Sequence, residues 1–138
     1  MNFRGSTGYG FDFMKAGLGQ WGGQMQEDVE DATYWAINEG IADPNRICIV
    51  GGSYGGYAAL MGAATSDLYQ CAVSFAGVSD LLLLLDGGRR YGGEETLRIM
   101  LGDKSRTELK EISPVNLADQ IKIPVLLVQG EDLSLIHI

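Results

Sequence analysis

One serine in this chain stands where nucleophilic chemistry is expected. Ser53 lies in Gly51-Gly52-Ser53-Tyr54-Gly55, a Gly-x-Ser-x-Gly pattern between the apolar run Ile47–Val50 and the Ala-, Leu- and Met-rich segment Tyr54–Thr65. A serine on a sharp strand-to-helix turn is a nucleophile elbow. The turn holds the serine in a strained conformation, so small neighbours are expected two residues away on either side, at Gly51 and Gly55. It lifts the hydroxyl clear of the sheet. It also aims a helix N-terminus at the carbonyl under attack, where negative charge develops. The Tyr54 N–H is the natural oxyanion donor. A phosphate or dinucleotide loop fits poorly, because the middle glycine of Gly-x-Gly-x-x-Gly would fall at Ser53 and no Lys-Ser/Thr pair follows.

A serine nucleophile needs a base. The single histidine is His137, in the terminal stretch QGEDLSLIHI. Two carboxylates on a predicted helix, Asp28 and Asp31, are three residues apart and share one side of it. Nothing else converges on them, and a structural or solvated role is expected.

The elements that would position Ser53 alternate between strand and helix. Ile47–Val50 reads as a strand buried on both faces. Tyr54–Thr65 reads as a helix, Gln70–Ala76 as a second strand closed by Gly77, and Ile123–Val128 as a third, with Pro124 at its start. Glu94–Leu101 and Thr107–Ile112 are helical, the latter broken at Ser113-Pro114. Upstream, Gln24–Asn38 is a helix whose stripe is Met25, Val29, Ala32 and Ala36, with Gly40 as its stop. This order implies an α/β fold with a parallel sheet and right-handed crossovers.

At 138 residues the chain is one domain or part of one, and 46% hydrophobic residues can build a core. A formal charge of −8 without a basic patch argues against a nucleic-acid partner. The longest purely apolar run, Leu81–Leu85, is far too short to span a bilayer. The N-terminus MNFRGSTGYG has no apolar signal-peptide core, which favours a cytoplasmic setting and leaves a periplasmic or secreted one open if residues precede Met1. Cys48 and Cys71 lie in apolar strand-like runs and are expected to be buried free thiols; a metal site would need more ligands at close spacing.

Beyond these patterns, the chain resembles the catalytic domain of the prolyl oligopeptidase family of serine peptidases. The resemblance rests on NFRGSTGYG (Asn2–Gly10), WGGQMQEDVEDATYWAI (Trp21–Ile37), DPNRICIVGGSYGGY (Asp43–Tyr57), AGVSD (Ala76–Asp80) and SPVNLADQIKIPVLLVQGED (Ser113–Asp132). The GGSYGGY form is more like the acylaminoacyl-peptidase and related branches than the dipeptidyl-peptidase IV branch, which usually has Trp at the position of Gly52. The resemblance implies an α/β-hydrolase fold, peptide substrates, no metal or organic cofactor, and a Ser-Asp-His triad with Ser53 as nucleophile and Tyr54 supplying an oxyanion N–H. It also implies an apolar pocket, for the residue preceding the scissile bond, at Tyr54, Val78, Leu81 and Leu84, against the alternative that the leucine run only packs the core. Arg4, in the family's Arg-Gly stretch, is expected to make a structural contact with nearby carbonyls or carboxylates. Nothing in the resemblance fixes the oligomeric state. A carboxylesterase on the same fold and a binding module that kept the elbow but lost the triad are the alternatives.

The family's triad Asp follows a strand in a Gly-x-x-Asp pattern. Counted from Gly130, that position is Leu133, with Asp132 one residue early. The resemblance stops at Asp132. Back-translated, LSLIHI matches CTG TCT CTT ATA CAC ATC, the end of a transposon used to fragment DNA. Residues 1–132 are therefore read as a partial catalytic domain and 133–138 as an adapter-derived tail, so His137 is not cast as the base. The triad His, an HGG-type oxyanion loop and a β-propeller are expected outside these residues, which makes Met1 an internal residue. Without two triad members the 138 residues alone are expected to be inactive, since losing one costs on the order of 10⁴–10⁶-fold in turnover. An unpaired edge at Ile47–Val50 is expected to make them poorly soluble.

Overall fold

The computed structural model describes residues 1–91 and 93–130. Asp132, and residues 133–138 with Leu133 and His137 among them, lie outside the described residues. The elements run α1 (Phe11–Lys15), α2 (Gln24–Asn38), β1 (Cys48–Gly52), α3 (Tyr54–Thr65), β2 (Cys71–Phe75), α4 (Leu81–Tyr91), α5 (Glu94–Leu101), α6 (Arg106–Glu111), a 3₁₀ helix (Pro114–Gln120) and β3 (Val125–Val128).

The three strands form a parallel sheet in the order β1-β2-β3. Parallel neighbours need a crossover, and α3 supplies the one between β1 and β2. It packs on both strands and on the 3₁₀ helix. Its residues from Gly56 to Ala63 are all buried, as expected of a helix that is apolar all round rather than striped. Ala72 and Ser74 of β2 are buried on the sheet face toward α3, at 1% and 3% exposure.

The opposite face is open. Val50, Phe75 and Leu126 are 67%, 59% and 58% exposed. The expectation that the first strand is buried on both faces is therefore corrected: its residues toward α3, Ile49 and Gly51, are half-buried and the others are exposed, because among the described residues no helix covers the other face. β1 and β3 are the sheet's edges among those residues, as expected for the first strand.

That open face also corrects the reading of the cysteines. They are neither free nor buried: Cys48 and Cys71 form a disulfide with a Cα–Cα distance of 4.6 Å, Cys48 is exposed and Cys71 half-buried. The two are register partners on adjoining strands. Directly paired residues point to the same side of a sheet, so the register that aligns the strands brings the thiols within disulfide range.

The remaining core lies on the α3 side, where Trp21, Met25, Tyr57, Met61 and leucines of α4, α5 and α6 form one cluster. Ser113, fully buried, ties it together: its hydroxyl donates to the Leu109 carbonyl (2.6 Å) and accepts from the Leu81 N–H (3.0 Å). A residue read as a helix breaker thus also starts α4. Asp80 Oδ1 caps the same helix by accepting from Leu82 N–H at 2.8 Å. α6 begins with a capping box between Ser105 and Glu108.

Digestion of the unreduced protein should yield one cross-linked peptide joining Cys48 to Cys71, seen by mass spectrometry and lost on reduction. Two alkylatable thiols in the unreduced, denatured chain would contradict the assignment.

Candidate nucleophile site

Ser53 joins β1 to α3 with φ 55° and ψ −118°. This is a left-handed backbone for a residue with a Cβ; it costs on the order of 1–3 kcal/mol and persists only where the surroundings impose it. They do. The Ser53 N–H donates to the Phe75 carbonyl at 2.9 Å, which extends the β1–β2 ladder one residue past the strand. The Ser53 carbonyl accepts from the N–H groups of Gly56 (3.0 Å) and Tyr57 (3.1 Å), which starts α3. The serine side chain makes no capping hydrogen bond and the residue is exposed. Its hydroxyl is thus presented to an incoming group rather than spent on the helix.

Gly51 and Gly55 play unequal parts. A Cβ on Gly51 would stand 2.2 Å from the Gly55 carbonyl oxygen and 2.8 Å from its Cα. A Cβ on Gly55 meets nothing within 4 Å. The steric need expected at both positions is therefore confined to Gly51, whose Cα side faces the backbone of Gly55. A second close pair was missed by sequence reasoning. A Cβ on Gly56 would come within 2.6 Å of the Gly77 Cα, and one on Gly77 within 2.9 Å of the Gly56 Cα. The first turn of α3 rests directly on the chain leaving β2. The doubled glycine Gly55-Gly56 and the Ala76-Gly77 pair were the available signals.

The strand ends converge here. Beside the Ser53–Phe75 bond, Ala76, at φ 47°, donates its N–H to the Val128 carbonyl at 2.8 Å. The C-terminal ends of the parallel strands are thus drawn to one rim, the usual place for ligands in open α/β sheets. β3 leads from this rim into the residues where the triad Asp was expected, outside the described part of the chain.

Among the described residues the Tyr54 N–H has no backbone acceptor, and it is the first N–H of α3 after the exposed Ser53. The Tyr54 ring packs against Trp21 edge-on, centroids 4.5 Å apart, and against Phe3 (5.3 Å) and Tyr57 (5.7 Å). Among the described residues its hydroxyl is buried without a hydrogen-bond partner. Burial, with the charge of Asp28 as a second cause, pushes its pKa well above the usual phenol range. Val78, Leu81 and Leu84 lie in the core cluster against which Tyr54 packs, at 7%, 0% and 8% exposure. Leu83, at 50%, is the exposed member of the run.

Arg4 meets a carboxylate, as expected of it. Its Nε and Nη2 donate to Asp28 Oδ2 (2.7 Å) and Oδ1 (2.6 Å), and its backbone N–H donates to Oδ2 (3.0 Å). These bonds hold the Asp28 carboxyl below its usual range. Their stabilisation is complete above the unfolded-state value of about 3.9 and is lost as pH falls through the lower folded value. Asp31 is exposed, so the two carboxylates do not form an acid–base pair. No group of three or more His, Cys, Asp or Glu among the described residues could hold a metal ion. No helix among them is long and apolar enough to cross a membrane.

A profile of the prolyl oligopeptidase family matches residues 1–132. Over 138 aligned residues the chain is 45% identical to dipeptidyl aminopeptidase BIII of Pseudoxanthomonas mexicana, covering 94% of this chain and 20% of that protein. Among solved structures it is similar to a puromycin-hydrolyzing peptidase of Mycobacterium tuberculosis, with TM-score 0.86 and 35% identity over 94% of this chain and 20% of that one. It is also similar to the Pyrococcus horikoshii acylaminoacyl peptidase, with TM-score 0.82 and 30% identity over 93% of this chain and 21% of that one. The chain spans about a fifth of the length of these relatives.

The glycine asymmetry gives a contrast that thermal or urea unfolding of the full-length protein can measure. Gly51→Ala should destabilise it by about 3 kcal/mol or more, because backbone must move. Gly55→Ala should stay within about 1 kcal/mol of wild type. Equal tolerance of the two substitutions would contradict the contact.

Proposed function

Because the chain belongs to the prolyl oligopeptidase family and has the corresponding part of an α/β-hydrolase fold, we propose that the protein is a serine peptidase cleaving peptide bonds through an acyl-enzyme at Ser53. The observation that carries the proposal is the Ser53 backbone, φ 55° and ψ −118°, held between strand and helix with its side chain exposed. A serine with a merely structural role has no reason to keep that strain.

In this reading the steps are those of acyl transfer. Ser53 Oγ attacks the substrate carbonyl and passes its proton to a histidine supplied from outside the described residues. An Asp following β3, past Asp132, orients that histidine. The carbonyl oxygen becomes an oxyanion, and the Tyr54 N–H at the start of α3 donates to it with the helix N-terminus behind. The tetrahedral intermediate collapses, the leaving amine takes the proton, and water releases the acyl group by the same route in reverse. The apolar pocket implied by the family resemblance for the residue preceding the scissile bond, at Tyr54, Val78, Leu81 and Leu84, would need Val78, Leu81 and Leu84 to open from the core, where they are 7%, 0% and 8% exposed. The preference for apolar residues at that position rests on the family resemblance. The relatives' names, a dipeptidyl aminopeptidase, an acylaminoacyl peptidase and a puromycin-hydrolyzing peptidase, support amide bonds near an aminoacyl terminus as the substrate class. No step calls for a metal or organic cofactor.

The test is a panel of peptide arylamides and simple esters offered to the full-length protein and its Ser53→Ala variant, together with fluorophosphonate labelling. Arylamides with apolar residues before the scissile bond should be cleaved, Ser53 should carry the label, and Ser53→Ala should lose about 10⁴-fold or more. Cleavage of esters alone would make it a carboxylesterase. An unlabelled Ser53 with no turnover would make it a non-catalytic module.

A further inference from the structure

The Tyr54 peptide carries the oxyanion donor, yet its phenol hydroxyl is buried with no partner. An orphaned buried hydroxyl costs on the order of 1–3 kcal/mol, so the ring is biased to swing toward any acceptor it can reach. Packing must hold it. Trp21 stands on one side of the ring and Phe3 on another. Trp21 is itself buried at 7% exposure and leans on Tyr57. Among the described residues, Phe3 lies outside any helix or strand.

What fixes Phe3 is its neighbour. Asp28, on α2, grips Arg4 by its backbone N–H and by two guanidinium nitrogens at 2.6–3.0 Å, and Arg4 Nη1 also donates to Gln24 Oε1. A forked arginine–carboxylate pair with a third bond to the main chain fixes direction as well as distance. The Phe3 carbonyl is then held by Ser6, through its hydroxyl (2.7 Å) and its N–H (3.1 Å). The peptide that joins Phe3 to Arg4 is thus held at both its carbonyl and its N–H. From Asp28 to the Tyr54 peptide there is one continuous line of contacts: carboxylate, guanidinium and main chain, Phe3 ring, Tyr54 ring.

We propose that the Arg4–Asp28 pair is a positioning device for catalysis, holding Phe3 against Tyr54 so that the Tyr54 N–H stays aimed at the oxyanion. This rests on the peptidase reading of Ser53 and adds residues far from the serine in sequence. Without the pair, Phe3 loosens and the Tyr54 ring turns toward a polar partner, drawing the first peptide of α3 with it. A small displacement of an oxyanion donor is enough to slow acyl transfer by one to two orders of magnitude. Substrate binding, which does not depend on that hydrogen bond in the ground state, changes little.

The experiment uses the full-length protein, with active sites counted by fluorophosphonate titration and turnover measured on a peptide arylamide. Asp28→Asn should lower kcat per titrated site about 10- to 100-fold with KM within about threefold of wild type. Phe3→Leu, which leaves the ion pair intact, should lower it in the same direction, and Phe3→Tyr should restore most of the rate. Should Asp28→Asn fail to fold, the two Phe3 variants decide the matter. A merely structural pair lowers the fraction of titratable sites and leaves kcat per site at the wild-type value; that result, or an unchanged kcat in Phe3→Leu, overturns the proposal. Wild-type protein that neither labels nor cleaves overturns the peptidase reading, and this inference with it.

Discussion

The contact on which this structure turns is between two stretches of bare backbone. Gly51, near the end of β1, faces the Gly55 peptide across a space that a single methyl group would overfill. That closeness makes the strand-to-helix corner tight enough to force Ser53 to positive φ. From the corner follow the exposed serine, the free N–H after it and the direction of α3. A wider turn would relax the serine, and its hydroxyl could fold back to cap the helix as serines commonly do. The site is then a consequence of how closely β1 and α3 are joined.

A strained residue persists only when its surroundings over-determine it. Here the restraints come from three directions. The sheet holds the serine through the bond to Phe75. The chain after β2 holds the first turn of α3 through the Gly56–Gly77 approach. The aromatic cluster of Phe3, Trp21 and Tyr57 holds the ring of the residue that follows. The disulfide adds a fourth restraint one strand-length away, between the two strands that deliver the corner. Chain entropy alone would give such a cross-link, closing a loop of 23 residues, about 3 kcal/mol.

Local chemistry explains which parts were legible in the sequence. Gln24–Asn38, Tyr54–Thr65 and Glu94–Leu101 were read with the bounds the structure gives them, because composition and bounding glycines mark those helices. Strands came out one or two residues long or displaced, since apolar runs do not show where a ladder ends. Phe11–Lys15, the 3₁₀ helix Pro114–Gln120 and the helix Leu81–Tyr91 were not read, being too short, opened by a proline, or interrupted by Gly87-Gly88. The cysteine pairing depended on register between strands 23 residues apart, which no local pattern encodes. At the site, Ser53 and its corner were legible from five residues. The Gly56–Gly77 contact and the line from Asp28 to Tyr54 were not, because each joins residues brought together only by folding. The pocket assignment at Val78, Leu81 and Leu84 came from family resemblance alone, and the structure puts those side chains in the core behind Tyr54.

The proposed chemistry requires Ser53 and the Tyr54 N–H to face one reacting carbonyl. The most direct measurement is a crystal structure of the full-length protein bearing a peptidyl phosphonate on its active serine. Phosphorus should be bonded to Ser53 Oγ, with the serine still near its strained φ and a phosphonyl oxygen about 2.7–3.1 Å from the Tyr54 nitrogen. An adduct on another residue, or an oxygen turned away from Tyr54 with the serine relaxed to negative φ, would contradict that chemistry.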